Sequence, residues 1–387
     1  MTDLISLDKA YVANTYGRFP VEVSHGKGSI LYDVNGKEYI DLGTGIGVTA
    51  FGFCDTEWVN AVTEQLNKIQ HTSNLYYTQP CAKLASILCN RTGLKKVFFS
   101  NSGAEANECA IKVARKYAED KGIKNAKIIT LKNSFHGRTL TTLAATGQDV
   151  FHQSFLPLTD GFLYLENGNV EQLNELVRNN VVCAIMLECV QGEGGVNPVS
   201  PEFIKAVKAV CDQNDILLIV DEVQTGNGRT GKLYAYMHYD ILPDVVTTAK
   251  GLGGGLPIGA CMMGEKVQDT LVPSSHGSTY GGNPVCSAGA INVLERLDDA
   301  ALAEIVQKSE YIKEELSKCK NVLSVTGLGL MLGIMTTKNS KDVVNECIKR
   351  GVLCLTAKDK IRLLPALNID FDILKKAIQI LIDIIEE

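Results

Sequence analysis

The chain has 387 residues, 45% of them hydrophobic and 21% charged, with a formal net charge of −6 at pH 7. That profile fits an ordinary globular protein of two domains, at roughly 100–200 residues each, and its acidic balance argues against nucleic-acid and anionic-membrane partners. The 12 cysteines are scattered without CxxC spacing, which excludes a disulfide scaffold and fits a reducing, cytoplasmic compartment.

In chain order, the acid-bearing stretch MTDLISLDKAYVAN lacks the basic and apolar regions of a signal peptide. Residues 29–33 and 38–42, joined by a turn at 34–37, predict a hairpin. Residues 57–70 repeat apolar side chains at helical spacing. The run KVFFSN at 96–101 predicts a strand that stops at the turn Ser102, Gly103, Ala104. Residues 104–119 then predict a helix with Ala106, Ala110, Val113 and Ala114 on one side. Continuous apolar runs at 127–131, 181–187, 216–221 and 245–249 suit strands buried on both faces, as in a mainly parallel sheet covered by helices. Beyond about residue 287 come long helical patterns at 286–297 and 301–319, shorter runs (GLMLGIM, GVLCLT) and a final helix over 372–385. The predicted organisation is an α/β large domain over 51–286, with 1–50 and 287–387 together forming a smaller α+β domain. No apolar run approaches the roughly 20 residues of a bilayer span.

Two motifs point toward nucleotides and fail on inspection. Residues 216–222 (ILLIVDE) have the shape of a Walker B strand, and 226–232 (GNGRTGK) the frame of a phosphate loop. Leu233 stands where a Mg²⁺-binding Ser or Thr is needed, no strand leads into Gly226, and the order of the two is reversed. The run GLGGGLPIG at 251–259 has Leu256 in place of the third glycine of a dinucleotide loop, and Pro257 where a helix should run. The histidines show no metal-ligand spacing, so no metal is expected.

Asp221 and Lys250 are more coherent. Each ends an apolar strand, and the carboxyl ends of α/β strands are where ligands collect. A partly desolvated lysine there can form a Schiff base with an aldehyde. Pyridoxal phosphate (PLP) needs such a lysine and an anionic partner for its pyridinium nitrogen. Either residue alone is more simply a surface charge. Together with helix-start amides at 102–104 for a phosphate, and Phe135 and Arg138 for a ring and a carboxylate, they describe one site.

At these residues the sequence resembles the class III aminotransferases. FFSNSGAEANE, NSFHGRTL, ECVQGEGGV, LLIVDEVQTGNGRTGKLYAY, TAKGLGGGLPIGA and HGSTYGGNP carry the resemblance, which runs from Asn14 to the IRLLPALNI stretch at Ile361. HTSNLYYTQP at His71 is most similar to the branch acting on N2-acetylornithine and 2-oxoglutarate, in arginine biosynthesis. The resemblance implies a PLP-dependent transferase of fold type I, with a mostly parallel seven-stranded sheet in the large domain. It also implies a homodimer with shared active sites. Lys250 would be the catalytic Schiff-base lysine and Asp221 the pyridinium partner. Ser102, Gly103 and Ala104 would hold the phosphate, Phe135 and Val223 the two ring faces, and Gln224 the ring hydroxyl. Thr279 would reach the phosphate of the neighbouring subunit's cofactor. On the substrate side, Arg138 would bind a carboxylate and Arg362 the α-carboxylate of glutamate and 2-oxoglutarate. Glu188 would be the switchable partner of Arg362, with Tyr16 and Ser278 also at the pocket. Sister ω-aminotransferases acting on ornithine, succinylornithine, succinyldiaminopimelate or 4-aminobutyrate share these features, and pocket shape near Tyr16 and Phe19 separates them only weakly. A mutase or decarboxylase on the same fold is the alternative from another enzyme class. The chain departs from the family pattern at Cys189, where proline is usual, at Ala104, where threonine is common, and in FGFCDTEW.

Overall fold

The computed structural model describes residues 4–387, and the first three residues of the acid-bearing N-terminal stretch lie outside it. The chain first makes an antiparallel ribbon of β1 (Val23–Lys27), β2 (Ile30–Asp33) and β3 (Glu38–Asp41). Seven strands follow: β4 (Lys96–Ser100), β5 (Lys127–Leu131), β6 (Phe162–Leu165), β7 (Val182–Leu187), β8 (Leu217–Asp221), β9 (Val245–Thr248) and β10 (Gly259–Met263). They form one sheet in the order β4–β10–β9–β8–β7–β5–β6, in which β10 alone runs antiparallel to its neighbours. Every residue of β8 and β9 is buried, which is why these strands read as unbroken apolar runs rather than alternating ones.

Local chemistry sets the helices that cover the sheet. Ser102 caps Gly103–Asp120 by accepting from the Glu105 amide, and Ser200 caps Pro201–Asn214 in the same way, with proline in the first turn. The helix Gly103–Asp120 lies on β4, β7, β9 and β10 with its alanine face inward; small side chains there let the backbone approach the sheet closely.

The two ends of the chain meet. β11 (Val322–Leu328), β12 (Met331–Thr336), β13 (Val352–Leu353), β14 (Leu355–Ala357) and β15 (Lys360–Leu363) complete the strands discussed here. β13 pairs in parallel with β3, while β11–β12–β15–β14 form a separate sheet. The expected strands and helices form within a few residues of their predicted bounds. Several elements were not foreseen, among them β1, β6, β10 and the helix Gln79–Thr92. β10 (GACMM) has no β-branched residue to signal a strand, and the helix buries a narrow stripe of Leu84, Leu88 and Thr92. Among the described residues no helix is long and apolar enough to cross a membrane, and no group of ligating side chains suits a metal.

Leu218 is fully buried at the centre of the sheet. Leu218→Ala is expected to lower the unfolding free energy by about 2–5 kcal/mol, read as a shifted urea midpoint by circular dichroism; an unchanged midpoint would contradict this packing.

Candidate active site

The carboxyl ends of β4, β5, β7, β8 and β9 converge on one cavity of about 480 Å³. A roomier surface depression of about 710 Å³ lies beside Arg115 and Lys124, at the opposite, amino ends of β5 and β6. Converging buried polar groups, rather than volume, pick out the site.

Asp221 closes β8 with its carboxylate almost wholly out of water, 3% exposed. The Asp221 Oδ1 accepts the Val223 amide at 2.9 Å, and its Oδ2 accepts Asn107 Nδ2 and His136 Nδ1, each at 2.8 Å. Asn107 is itself fixed, donating also to the His136 carbonyl and accepting from the Thr247 hydroxyl. A carboxylate has about four acceptor sites, so three donors leave room for one more, on the oxygen that holds only an amide.

On the adjacent strand, Thr247 pairs with Asp221, and β9 ends one residue before Ala249. Lys250 then takes a positive φ of 46°, a strained backbone for a residue with a Cβ. It opens the short turn Lys250–Gly253 and lines the cavity. Burial lowers its ammonium pKa from the usual range; Arg362 adds to that, while Glu193, Asp221 and Glu188 oppose it. The result is an amine that gives up its proton more readily than an exposed lysine.

Opposite them begins the helix Gly103–Asp120, whose first-turn amides have no intrahelical acceptor. A Cβ on Gly103 would sit 2.6 Å from a Val223 methyl, so only glycine lets this backbone come so near the cavity. Phe135 lies edge-on to Phe151, and the Arg138 guanidinium covers both rings.

The cavity thus brings together Ser102, Gly103, Ala104, Phe135, Arg138, Glu188, Asp221, Val223, Gln224 and Lys250 of the predicted set. Arg362, 3% exposed on β15, reaches its edge through Gln224, whose Oε1 accepts from it at 3.3 Å.

The expected Glu188–Arg362 pair does not form. Glu188 spends its oxygens on the backbone amides of Phe135 (3.0 Å) and Gly192 (3.2 Å), and burial pushes its carboxyl up to about 7. The partner of Arg362 is Glu193, at 2.5 Å, with Gln224 Nε2 also donating to it at 3.2 Å. Although burial works the other way, the guanidinium holds the Glu193 carboxyl below its usual range. Glycines at 192, 194 and 195 flank Glu193, a backbone with few side-chain constraints on movement.

Tyr16, Ser278 and Thr279 stand outside this cavity. Tyr16 is exposed beneath Arg18. Ser278 and Thr279 line a separate depression with His71 and Asn74, tied to the cavity rim by a bond from Asn101 to the Ser278 hydroxyl. Sequence reasoning missed Asn107, His136 and Glu193. Asn107 had a signal, an amide in the middle of an otherwise apolar helix face.

Comparison with known proteins shows the family. The family model of class-III aminotransferases matches residues 11–385. The chain is 49% identical over 384 residues to the acetylornithine aminotransferase of Haemophilus ducreyi, covering 98% of each. It superposes on the N-acetylornithine aminotransferase of Stenotrophomonas maltophilia with a TM-score of 0.86 at 36% identity, over 99% of this chain and 98% of that one. The ornithine aminotransferase of Toxoplasma gondii, which has partial occupancy of PLP at its active site, gives a TM-score of 0.94 at 31% identity, over 98% and 93%.

Gly103→Ala forces Val223 or the helix start to shift. Titrating PLP into the apoprotein by absorbance should then give affinity weaker by about tenfold or more, the scale of overpacking a tight contact; unchanged affinity would contradict the close approach.

Proposed function

The chain belongs to the class-III aminotransferases, PLP-dependent enzymes, and from that premise we propose its reaction. It transfers the δ-amino group of N2-acetyl-L-ornithine to 2-oxoglutarate, giving N-acetyl-L-glutamate 5-semialdehyde and L-glutamate, a step of arginine biosynthesis. The observation that carries the reading is the desolvated amine of Lys250 and the buried carboxylate of Asp221 at adjacent strand ends facing one cavity. Identity of 49% to an acetylornithine aminotransferase supports this donor over ornithine.

The residues fit pyridoxal phosphate. Bound, it supplies an aldehyde to carry the amino group and a ring that takes up electrons from the reacting carbon. Asp221, with an acceptor site to spare, would hold the ring N–H, and Asn107 and His136 fix its orientation. Ser102 and the amides of Gly103 and Ala104 would take the phosphate. Phe135 and Val223 would sit on the two faces of the ring, with Gln224 at its hydroxyl. Lys250 would be the covalent anchor, and its freed Nζ would carry the proton lost from the substrate's δ-carbon to the cofactor's aldehyde carbon.

Two substrates of unlike charge must use one pocket. Arg138 would bind a carboxylate common to both. With acetylornithine the Glu193 carboxylate stays on Arg362; with 2-oxoglutarate or glutamate the substrate α-carboxylate displaces it. Glu188, held by two amides, would instead shape the pocket wall. The same reading makes a homodimer: Thr279 lies outside its own cavity, next to exposed Tyr280 and in one depression with His71 and Asn74, and would serve the partner's phosphate.

Stopped-flow half-reactions test the proposal. Adding N2-acetylornithine should convert the yellow holoenzyme to the pyridoxamine form at least about tenfold faster than ornithine does, within the range a pocket sets between near analogues. Lys250→Ala should abolish conversion, and Glu193→Ala should alter the two half-reactions unequally. Faster conversion by ornithine would move the assignment to that donor, and no conversion by any ω-amino donor would end it.

A further inference from the structure

The segment after β3 adopts a backbone that L-residues avoid. Thr44, Gly45, Ile46 and Gly47 have φ of 47°, 63°, 66° and 74°. The amides of Gly47 and Val48 donate to the carbonyls of Gly43 (3.1 Å) and Thr44 (2.8 Å), so the chain makes one left-handed helical turn. Glycine tolerates this at 45 and 47, but the β-branched Thr44 and Ile46 are strained by it. Such a turn persists only where its surroundings over-determine it.

Asp41 supplies that determination. It is the last residue of β3 and is 5% exposed. Its Oδ1 accepts the Gly43 amide at 2.8 Å and its Oδ2 the Thr44 amide at 2.9 Å, just where the turn begins. Burial pushes the carboxyl up to about 6, with these two amides pulling it down. A charge is therefore kept in the interior against its solvation, and what it holds is the shape of the turn.

The turn has neighbours on both sides of the active site. The Thr44 hydroxyl donates to the Leu364 carbonyl at 2.6 Å, directly after the strand that carries Arg362. The Leu364 amide donates to the Leu42 carbonyl at 2.7 Å. On the other side the turn packs against Lys250–Gly253, and a Cβ on Gly251 would meet the Gly47 carbonyl at 3.5 Å. Val48, the next residue, lines the cavity.

We propose that Asp41 is a positioning residue whose carboxylate fixes a left-handed turn walling the substrate pocket between Lys250 and the strand of Arg362. This rests on the aminotransferase reading of that pocket. If only a fraction of molecules holds the turn, apparent substrate affinity falls by that fraction, while the bound, ordered state reacts as before. Loss of Asp41 therefore acts on KM rather than kcat.

The test uses the holoenzyme as wild type, Asp41→Ala and Asp41→Asn, with steady-state kinetics, cofactor absorbance and amide exchange over 42–50. Asp41→Ala removes two charge-assisted bonds. It should raise KM for both substrates about tenfold or more, leave kcat within about threefold and the cofactor absorbance intact, and speed exchange of the turn. Asp41→Asn keeps one acceptor and should recover part of the KM. Unchanged KM overturns the proposal, and so does a loss confined to kcat or to bound cofactor. Should Asp41→Ala fail to fold, Asp41→Asn decides alone, and a wild-type KM in it overturns the proposal. A wild-type enzyme that transfers no amino group would instead sink the functional reading, and turn exchange in Asp41→Asn would still decide the role of Asp41.

Discussion

The Asp221 carboxylate leaves water at the end of β8, and an isolated charge there would cost several kcal/mol. Asn107 from the helix Gly103–Asp120, His136 from the loop after β5 and the Val223 amide together compensate it. Each donor comes from a different element, so meeting this one requirement ties helix, loop and strand into fixed relation. The same helix start offers its free amides to the cavity, and the strand paired with β8 delivers Lys250 opposite the carboxylate. Cavity and large sheet are thus built together.

Strain collects where the substrate would lie. The turns Lys250–Gly253 and Thr44–Gly47 pack against each other, and both hold positive φ at residues other than glycine. The rest of the fold over-determines them: β3 is locked by β13 from the far end of the chain, and Leu364 ties the turn to the strand bearing Arg362. The union of the chain's ends therefore helps set the distance between the amine of Lys250 and Arg362.

Much of this was legible in the sequence. Strands buried on both faces write themselves as continuous apolar runs, and residues closing such runs, Asp221 and Lys250, stand at the ligand edge of the sheet. What was hidden has physical reasons. β10 carries no β-branched residue. The two acids of ECVQGEGG are equivalent on paper, but Glu188 follows β7 directly and turns to backbone amides, leaving Glu193, on the glycine-flanked loop, to meet Arg362. The GTGIG run carried a signal for a left-handed backbone in its alternate glycines, although nothing in it named Asp41 as the anchor. Tyr16, Ser278 and Thr279 were tied to the site by family pattern alone, and a single chain keeps them outside the cavity.

The central claim is that one amine, at 250, faces one buried carboxylate across a cofactor-sized cavity. Borohydride reduction of the protein reconstituted with pyridoxal phosphate, followed by peptide mapping, tests it most directly. The account predicts a phosphopyridoxyl label on Lys250 alone, lost or greatly weakened in Asp221→Ala; a label on another lysine, or one indifferent to Asp221, would contradict it.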